Sequence, residues 1–203
     1  VSDLPWPPEV QDCGPGDSQR YPSLEPGARK GDRGRLLVIG GGPYHGAPIL
    51  SGMAAARSGC DLVHVAMPSR AARRCEWPTS IIPEELPEED LLTMSSMPSI
   101  EGIIQSGRRP DSIVIGPGLG RDERTTEAVR AILEMTTEGG IPVVVDADAI
   151  GALPQGVWPR GMTGVATPHE SEASRWLGEA EPQQALSGIT GEDSTIVITG
   201  SED

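Results

Sequence analysis

An α/β fold with a mainly parallel sheet is predicted by three features of this chain. Short apolar runs rich in Val, Ile and Leu alternate with longer segments of helical character. The first run, Leu36 to Ile39 led in by Arg35, stops at three consecutive glycines, Gly40 to Gly42, before a small-residue helix begins. Stretches of unusual composition then recur just after the strands, where open parallel sheets bind their ligands.

The elements follow in order. Residues 1 to 29 are rich in Pro, Gly, Asp and Ser and read as a linker or an extension from an upstream domain. A strand at Leu36–Ile39 is followed by a helix over Ala47–Ser58 and a second strand over Asp61–Ala66. The segment Ser69–Met97 is broken by Pro78, Pro83 and Pro87 and yields no clear element; its five acids between Glu84 and Asp90 read as a solvated face. Ser112–Ile115 is the next strand, and Asp122–Glu138 the next helix, with Ala128, Ile132 and Leu133 on one face. Strands at Val143–Val145 and Val165–Ala166 follow, then a helix to Leu177 and a last strand at Thr195–Thr199. In Thr167-Pro168-His169-Glu170 the residue types suit a capping box, with Thr167 as N-cap, Pro168 at N1 and Glu170 at N3. That leaves His169 over, at the second helical position and toward the ligand edge.

Composition excludes some partners. The 30 Asp and Glu against 16 Lys and Arg give a formal net charge of −14, which disfavours nucleic acid and anionic membrane. A phosphate-bearing small molecule is still compatible, because glycine loops and helix N-termini bind anions without lysine; Lys30 is the one lysine. Cys13, Cys60 and Cys75 form neither a disulfide framework nor a zinc pattern, so a reducing, cytoplasmic setting is expected. No apolar stretch approaches the roughly 20 residues of a membrane span, and the regions of a signal peptide are absent. A start at Val1 and an end at a strand exit suggest a piece of something longer.

The post-strand loops carry the candidate chemistry. GGGPYHGAP (Gly40 to Pro48) lacks the lysine of a phosphate-binding P-loop and the spacing of a dinucleotide fingerprint. It reads either as a tight turn or as a substrate loop whose amides meet phosphate or amide oxygens. In GPGLGR, Gly116, Gly118 and Gly120 serve either strand-to-helix packing or close approach to a flat ring or phosphate. Asp146 and Asp148, after three valines, are placed to hold Mg²⁺ or orient a hydroxyl, Asp148 alternatively capping the next turn. His45 and His64 lack metal-site spacing, and no G-x-S-x-G elbow exists.

Taken together, KGDRGRLLVIGGGPYHGAP, SGCDLVHVAMP, GPGLGR, VVVDADAI and ATPHESEASRWLG resemble the ADP-dependent NAD(P)H-hydrate dehydratases over Lys30 to Asp203. The resemblance implies a three-layer ribokinase-like fold, incomplete at the C-terminus, for residues 30–203. It also implies repair of hydrated NADH or NADPH, with ADP (ATP in some relatives) phosphorylating the ring hydroxyl before phosphate leaves, and with Mg²⁺ as the accompanying ion. Carried over by motif, Ala47, Gly116, Gly118, Gly120 and His169 bind the hydrate. Thr199, Gly200, Ser201, Glu202 and Asp203 correspond to the nucleotide loop, Thr199 standing where the family has lysine. The family's catalytic aspartate lies in a later GTGD element, so no catalytic residue is expected within residues 1–203, and these residues alone are expected to be inactive. An upstream NAD(P)H-hydrate epimerase domain and a homo-oligomer are the expected partners. Alternatives are a hydroxyethylthiazole-type kinase of the same fold and a non-catalytic nucleotide-binding remnant.

Overall fold

The computed structural model describes residues 26–107, 109–178 and 193–200. Most of the expected linker, and the nucleotide-loop positions Ser201, Glu202 and Asp203, lie outside the described residues. Within them the elements are β1 (Arg35–Ile39), α1 (Gly46–Arg57), β2 (Leu62–Pro68), α2 (Ser69–Arg73), β3 (Ile81–Leu86), α3 (Met97–Ile104) and β4 (Ser112–Ile115). Then come α4 (Glu123–Glu138), β5 (Val143–Val145), a 3₁₀ turn (Ala147–Ala152), β6 (Gly164–Ala166), α5 (Glu170–Leu177) and β7 (Ser194–Ile196).

The described strands form one sheet in the order β3-β2-β1-β4-β5-β6-β7, every neighbouring pair parallel. The chain builds outward from β1 in one direction and then, from β4, in the other. The switch point therefore lies between β1 and β4. Leu37, Val38 and Ile39 of β1 are fully buried, as a strand covered on both faces requires. Leu36, Val38, Val63 and Val65 pack against α1 and α2 on one face. Leu37, Ile39, Ile113 and Ile115 pack against α3, α4 and α5 on the other.

The long helix α4 illustrates how the sequence specifies an element. Thr125, Ala128, Val129, Ile132, Leu133 and Thr136 recur at helical spacing and are all buried. The Asp122 side chain caps the start by accepting from Arg124 N at 2.9 Å.

The segment Ser69–Met97, which offered no periodicity, holds α2 and an entire strand. Pro83 is tolerated because β3 is an edge strand, where a residue without an N–H need not break a ladder. The acids Glu84 and Glu85 sit on that edge, which charge protects from pairing with other chains. They are also partnered: His64 Nδ1 lies 2.7 Å from Glu84 Oε1, Arg73 pairs with Glu85, and Arg70 pairs with Glu89 and Asp90. The exposed arginine pairs contribute at most about 1 kcal/mol each.

Ahead of β1, the turn at residues 29–34 is tied to the sheet by Asp61. Its carboxylate accepts from Gly31 N at 2.7 Å and Arg33 N at 3.2 Å. The Gly31 N–H is the main cause that holds the Asp61 carboxyl below its ordinary range, aided by Arg33. Folding thus favours the ionised form. Its contribution is complete above the ordinary carboxylate pKa of about 3.9 and is lost as pH falls through the lowered folded value. Replacing Asp61 with Asn should lower the urea midpoint at neutral pH, with the gap to the wild type closing on acidification below about pH 4. A gap that widens with acid would contradict the assignment.

Glycine substitutions should separate constrained from unconstrained backbone. Gly116 has φ +129° and a Cβ there would sit 1.7 Å from Asp146 O, whereas exposed Gly102 in α3 has no atom within 4 Å. Gly116→Ala is expected to destabilise by about 3 kcal/mol or more. Gly102→Ala should stabilise by about 0.5–1 kcal/mol. Urea unfolding of both variants checks the opposite signs.

Candidate functional site

Each candidate loop leaves the carboxyl end of a strand, so all lie along one rim in the order β1, β4, β5, β6, β7. At roughly 4.8 Å per strand, Ala47 and Thr199 are separated along that rim by on the order of 20 Å. Ala47, Gly118 and His169 thus share an edge of the sheet. Their exposure differs: Gly116 to Leu119 are buried, Ala47 and Gly120 half-buried, and His169 exposed.

The loops after β1 and β4 meet at the switch point, main chain against main chain. Gly41 N donates to Pro117 O at 2.9 Å. A Cβ on Gly40 would lie 2.4 Å from Pro117 O, and one on Gly118 would lie 2.1 Å from Tyr44 O. For Gly116 and Gly118 the packing reading therefore suffices, although the packing is against other loops as well as between strand and helix. Tyr44 and Pro43 stand above them, Tyr44 being 67% exposed.

Asp148 does not cap the turn that follows it. Its carboxylate reaches across to the preceding strand's loop, accepting from Gly120 N at 2.9 Å and from Arg121 Nε at 3.4 Å. Asp146 turns the other way and accepts from the Thr167 hydroxyl at 2.8 Å. The two carboxylates thus serve different loops, and among the described residues no group of three or more His, Cys, Asp and Glu side chains is placed to hold a metal ion. Between them Ala147 adopts φ +48°, the left-handed region uncommon for a residue with a side chain. Such a conformation persists only where its surroundings impose it, here the flanking anchored aspartates.

The expected cap at Thr167 requires correction. With the Thr167 hydroxyl committed to Asp146, the chain stays extended for two further residues. Pro168 O accepts from Thr199 N at 3.0 Å, and Thr199 O accepts from Glu170 N at 3.2 Å. The helix starts only at Glu170, and His169 is its N-cap. The His169 ring accepts from Ser171 N at 3.4 Å, and Glu172 Oε2 accepts from His169 N at 3.0 Å. The box is His169 with Glu172 instead of Thr167 with Glu170. His169 thus has a structural duty and is also exposed. β7 is correspondingly shorter than the expected Thr195–Thr199, ending at Ile196 with a single bridge from His169 to Thr199 beyond it.

Loops separated by 28 and 21 residues are joined by Asp148 and Asp146, links that no local pattern in the sequence announces. Asp148→Ala is expected to cost about 1–3 kcal/mol by leaving the Gly120 N–H unmatched, and Asp148→Asn, which retains an acceptor, less. Urea midpoints together with amide exchange at Gly120 check this; a silent Asp148→Ala would remove the latch.

Comparison with known proteins agrees with this architecture. Residues 36–201 match the family model described as NAD(P)H-hydrate dehydratase. The chain is 36% identical over 179 residues to the bifunctional NAD(P)H-hydrate repair enzyme Nnr of Methanothermobacter thermautotrophicus, covering 87% of this chain and 34% of that protein. It is 37% identical over 167 residues to an ADP-dependent (S)-NAD(P)H-hydrate dehydratase of Cenarchaeum symbiosum, covering 79% of this chain and 55% of that one. Thus it spans about a third of the bifunctional relative. Among solved structures, a ribokinase-like superfamily protein of Enterococcus faecalis superposes with a TM-score of 0.65 at 22% identity, over 87% of this chain and 61% of the other. The ADP/ATP-dependent NAD(P)H-hydrate dehydratase of Bacillus subtilis, co-crystallized with ATP/Mg²⁺, gives 0.60 at 21% identity, over 89% and 63%. The fold is ribokinase-like, and the chain belongs to the NAD(P)H-hydrate dehydratase family.

Proposed function

We propose that the protein carrying this chain dehydrates the S form of hydrated NADH or NADPH, using ADP or ATP as phosphoryl donor. The observation that carries this reading is the alignment of five separate loops along one rim that begins at the switch point, where such sheets bind ligands. Family membership supports it. The reduced ring's added hydroxyl is a poor leaving group. Its oxygen takes the terminal phosphoryl group of the donor, releasing AMP from ADP. The C–O bond then breaks with loss of a ring proton, giving phosphate and the restored dihydronicotinamide.

In this reading Ala47, Gly120 and His169 face the hydrate, while Gly116 and Gly118 shape the floor beneath them. Thr199, Gly200, Ser201, Glu202 and Asp203 contact the nucleotide. Mg²⁺ enters with the nucleotide phosphates, as magnesium commonly does, rather than between Asp146 and Asp148. Residues 1–29 join the domain to an upstream NAD(P)H-hydrate epimerase, an arrangement supported by the bifunctional relatives. The protein works in the cytoplasm as a homo-oligomer. No described helix is long and apolar enough to cross a membrane.

The test uses the complete gene product, incubated with hydrated NADH or NADPH and ADP or ATP. Recovery of the near-ultraviolet absorbance of reduced nicotinamide is expected. Phosphorylation of a thiazole alcohol with no such recovery would favour the kinase alternative and defeat this reading. His169→Asn separates the two duties of that residue, since asparagine is itself a good N-cap. Thermal stability should be retained, while KM for the hydrate rises by about tenfold, the equivalent of one lost hydrogen bond. An unchanged KM would exclude His169 from the hydrate site.

A further inference from the structure

Beside Asp148 a cleft of about 490 Å³ opens between the first half of α4, the 147–153 turn and α5. This lies within the ordinary range of small-molecule sites. Its lining divides in two. Ile150, Leu153 and Trp176 supply apolar surface, and Arg121, Arg130 and Arg175 supply charge. In a chain of 30 acids and 16 Lys and Arg, three arginines around one cleft reverse the local balance.

The two carboxylates in the lining, Asp148 and Glu172, are already engaged. Asp148 accepts from Gly120 N and Arg121 Nε, and Glu172 accepts from His169 N. Arg130 and Arg175 have a different kind of partner. Arg130 Nε donates to Ala152 O at 3.2 Å, and Arg175 Nε donates to Ser171 O at 2.9 Å. Neither makes an ion pair with an acid among the described residues, and the main-chain acceptors fix each guanidinium's direction. Planar guanidinium groups held this way suit phosphate oxygens. A cleft lined by both arginines and apolar residues suits a phosphate carried on a flat base.

The cleft also borders the residues of the proposed hydrate site. Asp148 latches Gly120, and Glu172 caps His169, so both residues belong to the two places at once. We propose that this cleft receives the phosphate-bearing adenylate half of the hydrated dinucleotide, with Arg130 and Arg175 as phosphate contacts. The proposal rests on the dehydratase reading for the identity of the dinucleotide. The general chemistry, an adenine nucleotide phosphate, is shared with the free ADP donor.

The test distinguishes these sources and is made on the complete gene product with Arg130→Gln, Arg175→Gln and the double variant. Both side chains are exposed, and thermal midpoints establish that each variant is folded. In the first arm, KM is measured for hydrated NADH, hydrated NADPH and ADP. The double variant should raise KM for the hydrated dinucleotides by about tenfold or more while KM for ADP stays within about twofold. In the second arm, adenosine 2′,5′-bisphosphate and AMP are titrated calorimetrically, without turnover. The double variant should weaken the bisphosphate by about tenfold or more. A rise confined to KM for ADP would assign the cleft to the donor and overturn the proposal. So would unchanged KM values in an active enzyme. If the wild type dehydrates neither hydrate, the dehydratase reading fails; the second arm then still decides whether the arginine cleft binds nucleotide phosphate.

Discussion

Two loops that touch main chain to main chain at the switch point set the geometry of everything beyond them. β1 and β4 are neighbours in the sheet and their chains depart in opposite directions, yet the two corners still crowd one another above the strand ends. The crowding is resolved by omitting side chains. Gly40 and Gly118 allow carbonyl oxygens to come where a Cβ would stand, and Gly41 N bonds Pro117 O across the seam. From this seam the order passes outward one strand at a time. Gly116 and Gly120 receive Asp146 O and the Asp148 carboxylate, Asp146 holds Thr167, and Pro168 and Glu170 hold Thr199. The rim is a continuous series of contacts in which each loop is positioned by the one before it.

Much of this was legible in the sequence, for a definite reason. β1, β2, β4 and β5 are interior strands, so their residues are mainly apolar on both faces and stand out as runs, interrupted in β2 by His64 alone. α4 has enough turns for its buried stripe to repeat. β3 was illegible because an edge strand is subject to neither constraint. Pro83 is permitted there, Glu85 is exposed, and Glu84 is half-buried against His64. α2, with five residues, and α3, with eight, are too short for a period to emerge.

At the site the boundary between legible and illegible is sequence distance. A capping box can be read from four adjacent residues, and the one expected in TPHE is chemically sound. It loses because Thr167 has a better-placed partner in Asp146, and because pairing with Thr199 keeps the chain extended through His169. Both competitors lie more than 20 residues away along the chain. The same holds for the arginine cleft, whose walls come from α4, the turn after β5 and α5.

Thr199 shows how main chain and side chain can have separate duties on this rim. Its contribution to the architecture is made by its main chain, with the N–H bonded to Pro168 O and the carbonyl to Glu170 N. Any residue able to adopt an extended conformation provides those two groups. The side chain at position 199 is therefore free to vary without disturbing the pairing of Thr199 with Pro168 and Glu170, and it sets only what is offered beyond the main chain. A lysine brings a mobile point charge, whereas a threonine brings a short hydroxyl that donates one hydrogen bond. In a chain whose one lysine is Lys30, a phosphate bound on this rim would have to be met by main-chain amides, helix starts and arginines.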